Sequence, residues 1–152
     1  MLRERLTAEM KEAMKAGDKA KLATVRLIQA ALKDKDIEAR GLGKEPLSDE
    51  EILGVLQKMI KQRNESATLY EQGERPELAA AERAEAAIIA AFLPQQMDEA
   101  ETRAAIESAI AETGAASPKD MGKVIGALKA KYTGRMDFAK ASGLVKGLLA
   151  GG

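Results

Sequence analysis

The chain has 152 residues, 45% of them hydrophobic and 32% charged, with 24 basic and 24 acidic side chains that cancel to zero net charge. This is the balance of a folded protein of one domain or two small ones, not of a disordered chain. It holds no cysteine and no histidine, which excludes thiolate nucleophiles, disulfides, thiolate zinc sites and imidazole acid–base chemistry together.

Alanine, glutamate, lysine and leucine dominate while aromatics are only 3%, so the predicted elements are helices. Leu2, Leu6, Met10 and Met14 recur every fourth residue and predict an apolar stripe on a first helix. Charged residues alternate with apolar ones in this segment. It therefore reads as neither a secretory signal nor a membrane span, and the cytoplasm is the expected location. Gly17 supplies a stop and Asp18 an N-cap for a second helix carrying Leu22, Val25, Ile28 and Leu32, which fades near Arg40. The stretch from Gly41 to Pro46 reads as a loop.

Ser48 and Glu51 have the spacing of a capping box. They open a third helix with Ile52, Val55, Leu56, Met59, Ile60 and Tyr70 that stops at Gly73. Pro76 fits the first turn of a fourth helix, where a missing N–H costs nothing. That helix holds Leu78, Ile88, Ile89 and Phe92 and ends before Pro94. Leu93–Met97 is the expected domain boundary.

Beyond it, Asp98–Glu101 and Ser117–Asp120 both look like helix starts, with acids near the positive end of the dipole. Ile106 and Ile110 mark a fifth helix that ends near Gly114. Met121, Val124, Ile125, Leu128 and Tyr132 mark a sixth. Asp137 then caps a seventh with Ala141, Leu144, Val145 and Leu148. The expected fold is all-α, a four-helix part over 1–94 followed by a small three-helix domain over 95–152.

The charges are unevenly placed. From Ser117 onward the basic residues are Lys119, Lys123, Lys129, Lys131, Arg135, Lys140 and Lys146, opposed only by Asp120 and Asp137, a surplus of five. The preceding stretch, 95–116, has five acids against Arg103, a deficit of four. A cationic surface of this kind suits phosphate contact, and the same pattern also describes a solvated lysine face. No aromatics interleave for base stacking, so any RNA contact is expected to follow backbone and shape.

Four charged residues sit where the helical pattern expects carbon or lie beside it: Arg26, Arg63, Glu82 and Glu85. Buried charges persist only when paired, and a guanidinium suits a carboxylate well. Two carboxylates one turn apart can also do acid–base or metal work. With an arginine available to each and no histidine to complete a metal set, a structural ion-pair network is the favoured reading. No catalytic residue, metal site or cofactor is expected. Gly41-Leu42-Gly43 is only a fragment of a phosphate loop, and Asn64-Glu65-Ser66 matches a glycosylation pattern inside a predicted helix.

Lys61-Gln62-Arg63 with Glu65-Ser66 and Tyr70, then Glu82, Glu85 and Phe92-Leu93-Pro94, resemble the YqeY family. Met121-Gly122-Lys123-Val124, Gly134-Arg135-Met136-Asp137 and Val145-Lys146 extend the resemblance over nearly the whole chain. Phe138 departs from it, standing where many members carry a small residue. The family is related to the tail of GatB, a subunit of the glutamine-dependent amidotransferase that acts on misacylated tRNA. There the tail contacts tRNA and the chemistry lies in other domains.

The resemblance therefore implies a non-catalytic tRNA-contacting or adaptor protein, with the part from about Gln95 touching RNA. It also implies an alternative, a component of a carbon–nitrogen ligase with glutamine as amido-N-donor, and apart from the resemblance the helical faces allow a protein–protein interaction module. A stand-alone ligase needs a glutaminase nucleophile and a nucleotide site, and the sequence offers no cysteine or phosphate loop for either.

Overall fold

The chain divides into two compact units, Met1–Leu93 and Pro94–Gly152; the computed structural model describes residues 1–151. Among these residues all regular structure is helical, and no helix is long and apolar enough to cross a membrane.

In the first unit, α1 spans Leu2–Ala16 and ends at Gly17, whose φ of 69° is the left-handed conformation that glycine adopts without strain. Asp18 caps α2, Lys19–Gly41, by accepting from the Lys21 amide. The Ser48–Glu51 capping box opens α3, Asp49–Gln72, with both reciprocal bonds made. Pro76 stands in the first turn of α4, Pro76–Ala90. Leu6, Val25, Ile28, Leu32, Ile52, Leu56, Met59, Ile89 and Phe92 form one core. Phe92 is buried from just beyond the helix end, where Arg5 donates to the Ala91 carbonyl at 2.6 Å and lies over the Phe92 ring.

The second unit holds α5, Glu99–Thr113, a single 3-10 turn, Pro118–Asp120, then α6, Met121–Tyr132, and α7, Phe138–Gly151. Asp98 and Glu101 make a second complete capping box, and Gly114 ends α5 in the left-handed conformation. Ile106, Val124, Leu128, Met136, Ala141, Val145 and Leu149 lie in its core, with Ala105 and Ala109.

Several expected core positions move. Met14 is exposed and Ala13 is buried instead. A row of every fourth residue turns by about 40° per step on a helix of 3.6 residues per turn, so by Met14 it has rotated off the face that Leu6 set. On α4, Leu78 is exposed and Ala79 buried. On α7 the buried row is Ala141, Val145 and Leu149, while Leu144 and Leu148 only flank it. Gly41 belongs to α2 rather than to the loop after it.

Candidate nucleic-acid interface

The turn into α6 differs from the expected cap. Ser117 makes no side-chain cap bond. Asp120 instead folds back and accepts from the Ala116 amide at 3.0 Å. That bond, with help from the Ser117 amide and nearby Lys123, holds the Asp120 carboxyl below its ordinary range. Lys123 approaches Asp120 at 3.9 Å and keeps a largely exposed side chain. One of the two acids among these bases is therefore spent on the local backbone. The other, Asp137, accepts from the Ala139 and Lys140 amides at 3.0 and 3.3 Å to start α7.

The seven basic residues then separate into two groups. Lys119, Lys123, Lys129, Lys140 and Lys146 are exposed. Lys123 and Lys129 lie well away from the buried Val124–Leu128 edge of α6, and Lys140 and Lys146 away from the buried row of α7. Lys129 also rests over the Phe138 ring, 6.0 Å from its centre, and Phe138 itself packs against the core of this unit. Exposed Gly122 and Gly126 on α6, and Gly143 and Gly147 on α7, leave the helix surface bare near these lysines, with nothing within 4 Å of where a Cβ would stand.

The other two are engaged. Lys131 pairs with Glu112 of α5 at 3.1 Å. Arg135 is half-buried and its Nε donates to the Gln95 carbonyl at 3.0 Å, while its own carbonyl accepts from the Met97 amide at 2.9 Å. Gln96 adds a bond to the Gly134 carbonyl at 2.6 Å. The 94–97 segment is thus laced to the turn before α7. Arg135 reads in the sequence as one more surface cation because its partners are backbone groups some forty positions away.

Of the four charges in the expected network, Arg63 and Glu85 meet at 3.0 Å. Arg63 lies in the middle of the buried face of α3, between Met59 and Ala67, and its Nη1 also donates to the Met59 carbonyl at 3.2 Å. Arg26 is not part of the network. It is exposed, because the buried row of α2 is Thr24, Val25, Ile28 and Leu32, and Arg26 projects from the opposite side. Glu82 is half-buried and forms no ion pair among the described residues. Nowhere among those residues do three or more carboxylates gather to hold a metal ion.

A family model described as Yqey-like protein matches residues 3–149. The chain belongs to the YqeY family. It is also similar to altered inheritance of mitochondria protein 41, a mitochondrial protein of Vanderwaltozyma polyspora, with 33% identity over 100 residues. That match covers 61% of this chain and 52% of the relative, so it spans about half of the relative's length.

Several of the residues that carry the YqeY resemblance do structural work in this YqeY chain. Arg63 and Glu85 form the α3–α4 ion pair, and Phe92 fills the first core. Gly134 has a φ of 85°, as the turn requires. Met136 is fully buried and Asp137 caps α7. Lys123, Lys129, Lys140 and Lys146, by contrast, stand in solvent without a packing role of that kind.

Proposed function

We propose that this YqeY protein is a non-catalytic RNA-contacting protein whose α6–α7 surface touches the sugar–phosphate backbone of structured RNA, with tRNA as the partner that kinship with the GatB tail suggests. The observation that supports this most is the fate of the two local acids. Asp120 and Asp137 are turned to backbone amides, and these two acids are outnumbered by the five exposed lysines Lys119, Lys123, Lys129, Lys140 and Lys146, of which Lys123 has a long 3.9 Å contact with Asp120. Phosphate contact by lysine needs exposure and an unspent charge rather than a shaped pocket.

In this reading Lys131 and Arg135 contribute less than their charge suggests, one through its pair with Glu112 and the other through its hold on Gln95. The protein acts in the cytoplasm, as an adaptor beside charged tRNA. Titration of labelled tRNA with the full chain at low salt tests the proposal, and weaker binding by the Lys119→Ala/Lys123→Ala variant is expected. No binding at low salt would defeat it. Release of ammonia from glutamine by the isolated chain would favour an amidotransferase component instead.

A further inference from the structure

In the first unit, α2 packs more closely on α1 and α4 than on α3. The gap left between α2 and α3 is a furrow of about 530 Å³. Ala31, Leu47, Val55 and Met59 make it apolar, and one lysine stands on each wall, Lys35 on α2 and Lys58 on α3. Glu51 sits at one end, turned to the Ser48 amide and hydroxyl at the start of α3, each at 3.2 Å, so the walls carry two lysines against one carboxylate. The charge that the furrow offers a visitor is therefore positive. Lys58 is exposed and forms no ion pair among the described residues, and Lys35 has only a long 3.5 Å surface contact with Glu38.

Gly54 adds an independent observation. It lies inside α3, one turn before Lys58, on the wall of the furrow. A glycine in a helix interior weakens the helix relative to alanine. Nothing in the protein rewards it here, since a Cβ at Gly54 would meet no atom within 4 Å. What the missing side chain provides is room for a second backbone to lie close to α3. The α3 wall runs from Glu51 to Gln62, about 16 Å at 1.5 Å rise per residue, or three helical turns.

We propose that this furrow docks an amphipathic helix of a partner protein, with a small residue set against Gly54, apolar residues on Val55 and Met59, and acidic flanks meeting Lys35 and Lys58. Three turns and an apolar floor suit helix-in-groove recognition, in which an amphipathic helix lays its apolar face into a groove. The basic walls select an acidic helix and disfavour a basic one. This site is separate from the α6–α7 surface, so it can hold while the RNA reading fails, and the reverse.

The test places benzoylphenylalanine at Gln62, on the rim, in the full chain inside cells, followed by irradiation and sequencing of the crosslinked peptide. The synthetic version of that peptide is then titrated against the full chain. The expected result is one helical segment with an apolar stripe and acidic flanks. Its affinity should fall about tenfold or more in Lys35→Glu/Lys58→Glu at low salt and be abolished by Gly54→Leu, with the melting temperature of Gly54→Leu no lower than that of the parent. No crosslink, a crosslink to RNA, a basic or non-helical segment, or binding indifferent to both variants would each overturn the proposal.

Discussion

Arg3 and Asp36 form a two-pronged ion pair, Nη1 to Oδ2 at 2.8 Å and Nη2 to Oδ1 at 2.9 Å, that ties α1 to α2. The pair also holds the loop before α3. Asp36 Oδ1 accepts from the Leu47 amide at 2.9 Å, and Arg3 Nη2 donates to the Leu47 carbonyl at 3.1 Å. Three elements meet on one carboxylate. Replacing Asp36 with alanine is expected to cost about 1–3 kcal/mol, since it strips two partners at once. Asp36→Asn should cost less, because its amide oxygen can still accept from Leu47. Urea unfolding of the three proteins measures the order.

The same carboxylate predicts a pH signature. The Arg3 guanidinium first, and the Leu47 amide second, hold Asp36 below its ordinary value of 3.8. A carboxyl lowered on folding contributes stability that is present above the unfolded value and is lost as pH falls through the folded one. The stability advantage of the parent over Asp36→Asn should therefore be constant near neutral pH and shrink below pH 3.8. An advantage that grows on acidification would show that Asp36 is not held ionised by Arg3.

The Arg63–Glu85 pair carries a different expectation. Arg63 is 16% exposed and Glu85 38%, so the pair is half-desolvated and removing one partner strands the other. Glu85→Gln should destabilise by about 1 kcal/mol and leave RNA binding intact. Arg63→Met, which refills the α3 face with carbon, should cost less than Arg63→Ala. Unchanged stability together with a lost activity in Glu85→Gln would instead give Glu85 a chemical role.

The exposed helix glycines offer a prediction of the opposite sign. Gly122, Gly126, Gly143 and Gly147 have open space where a Cβ would stand, and none has a positive φ. Each change to alanine should raise stability by roughly 0.5–1 kcal/mol, read as a higher melting temperature. Gly114, with φ at 68°, should lose stability when changed to alanine.

Much of this architecture is written locally. The Ser48 and Asp98 capping boxes, the stops at Gly17 and Gly114 and Pro76 in the first turn of α4 are all determined by residues within one turn of each other. What escaped sequence reading depends on distance. Alanine serves equally as helix filler and as core, so Ala67, Ala79 and Ala86 gave no apolar signal although all three are buried. Asp36 looked like one acid among many, since its partners Arg3 and Leu47 lie on other elements. Arg26 shows the converse error: its neighbours in sequence are apolar, but at 100° per residue they point elsewhere. At the candidate interface the surplus of lysine was countable, whereas the separation of Arg135 from the freely exposed cations required the Gln95 contact.

The proposed function rests on freely exposed lysines of α7, α6 and the turn that leads into it, rather than on all seven basic residues equally, meeting RNA phosphates. The most direct measurement is the slope of log K against log salt for tRNA binding by the full chain and its single variants. Lys119→Ala, Lys123→Ala, Lys140→Ala and Lys146→Ala should each flatten the slope by about 0.7–0.9 without moving the melting temperature. Lys131→Ala should change the slope little, and Arg135→Ala should act mainly by lowering the melting temperature. Slopes left untouched by the four exposed lysines, or flattened only by Lys131→Ala, would contradict the account.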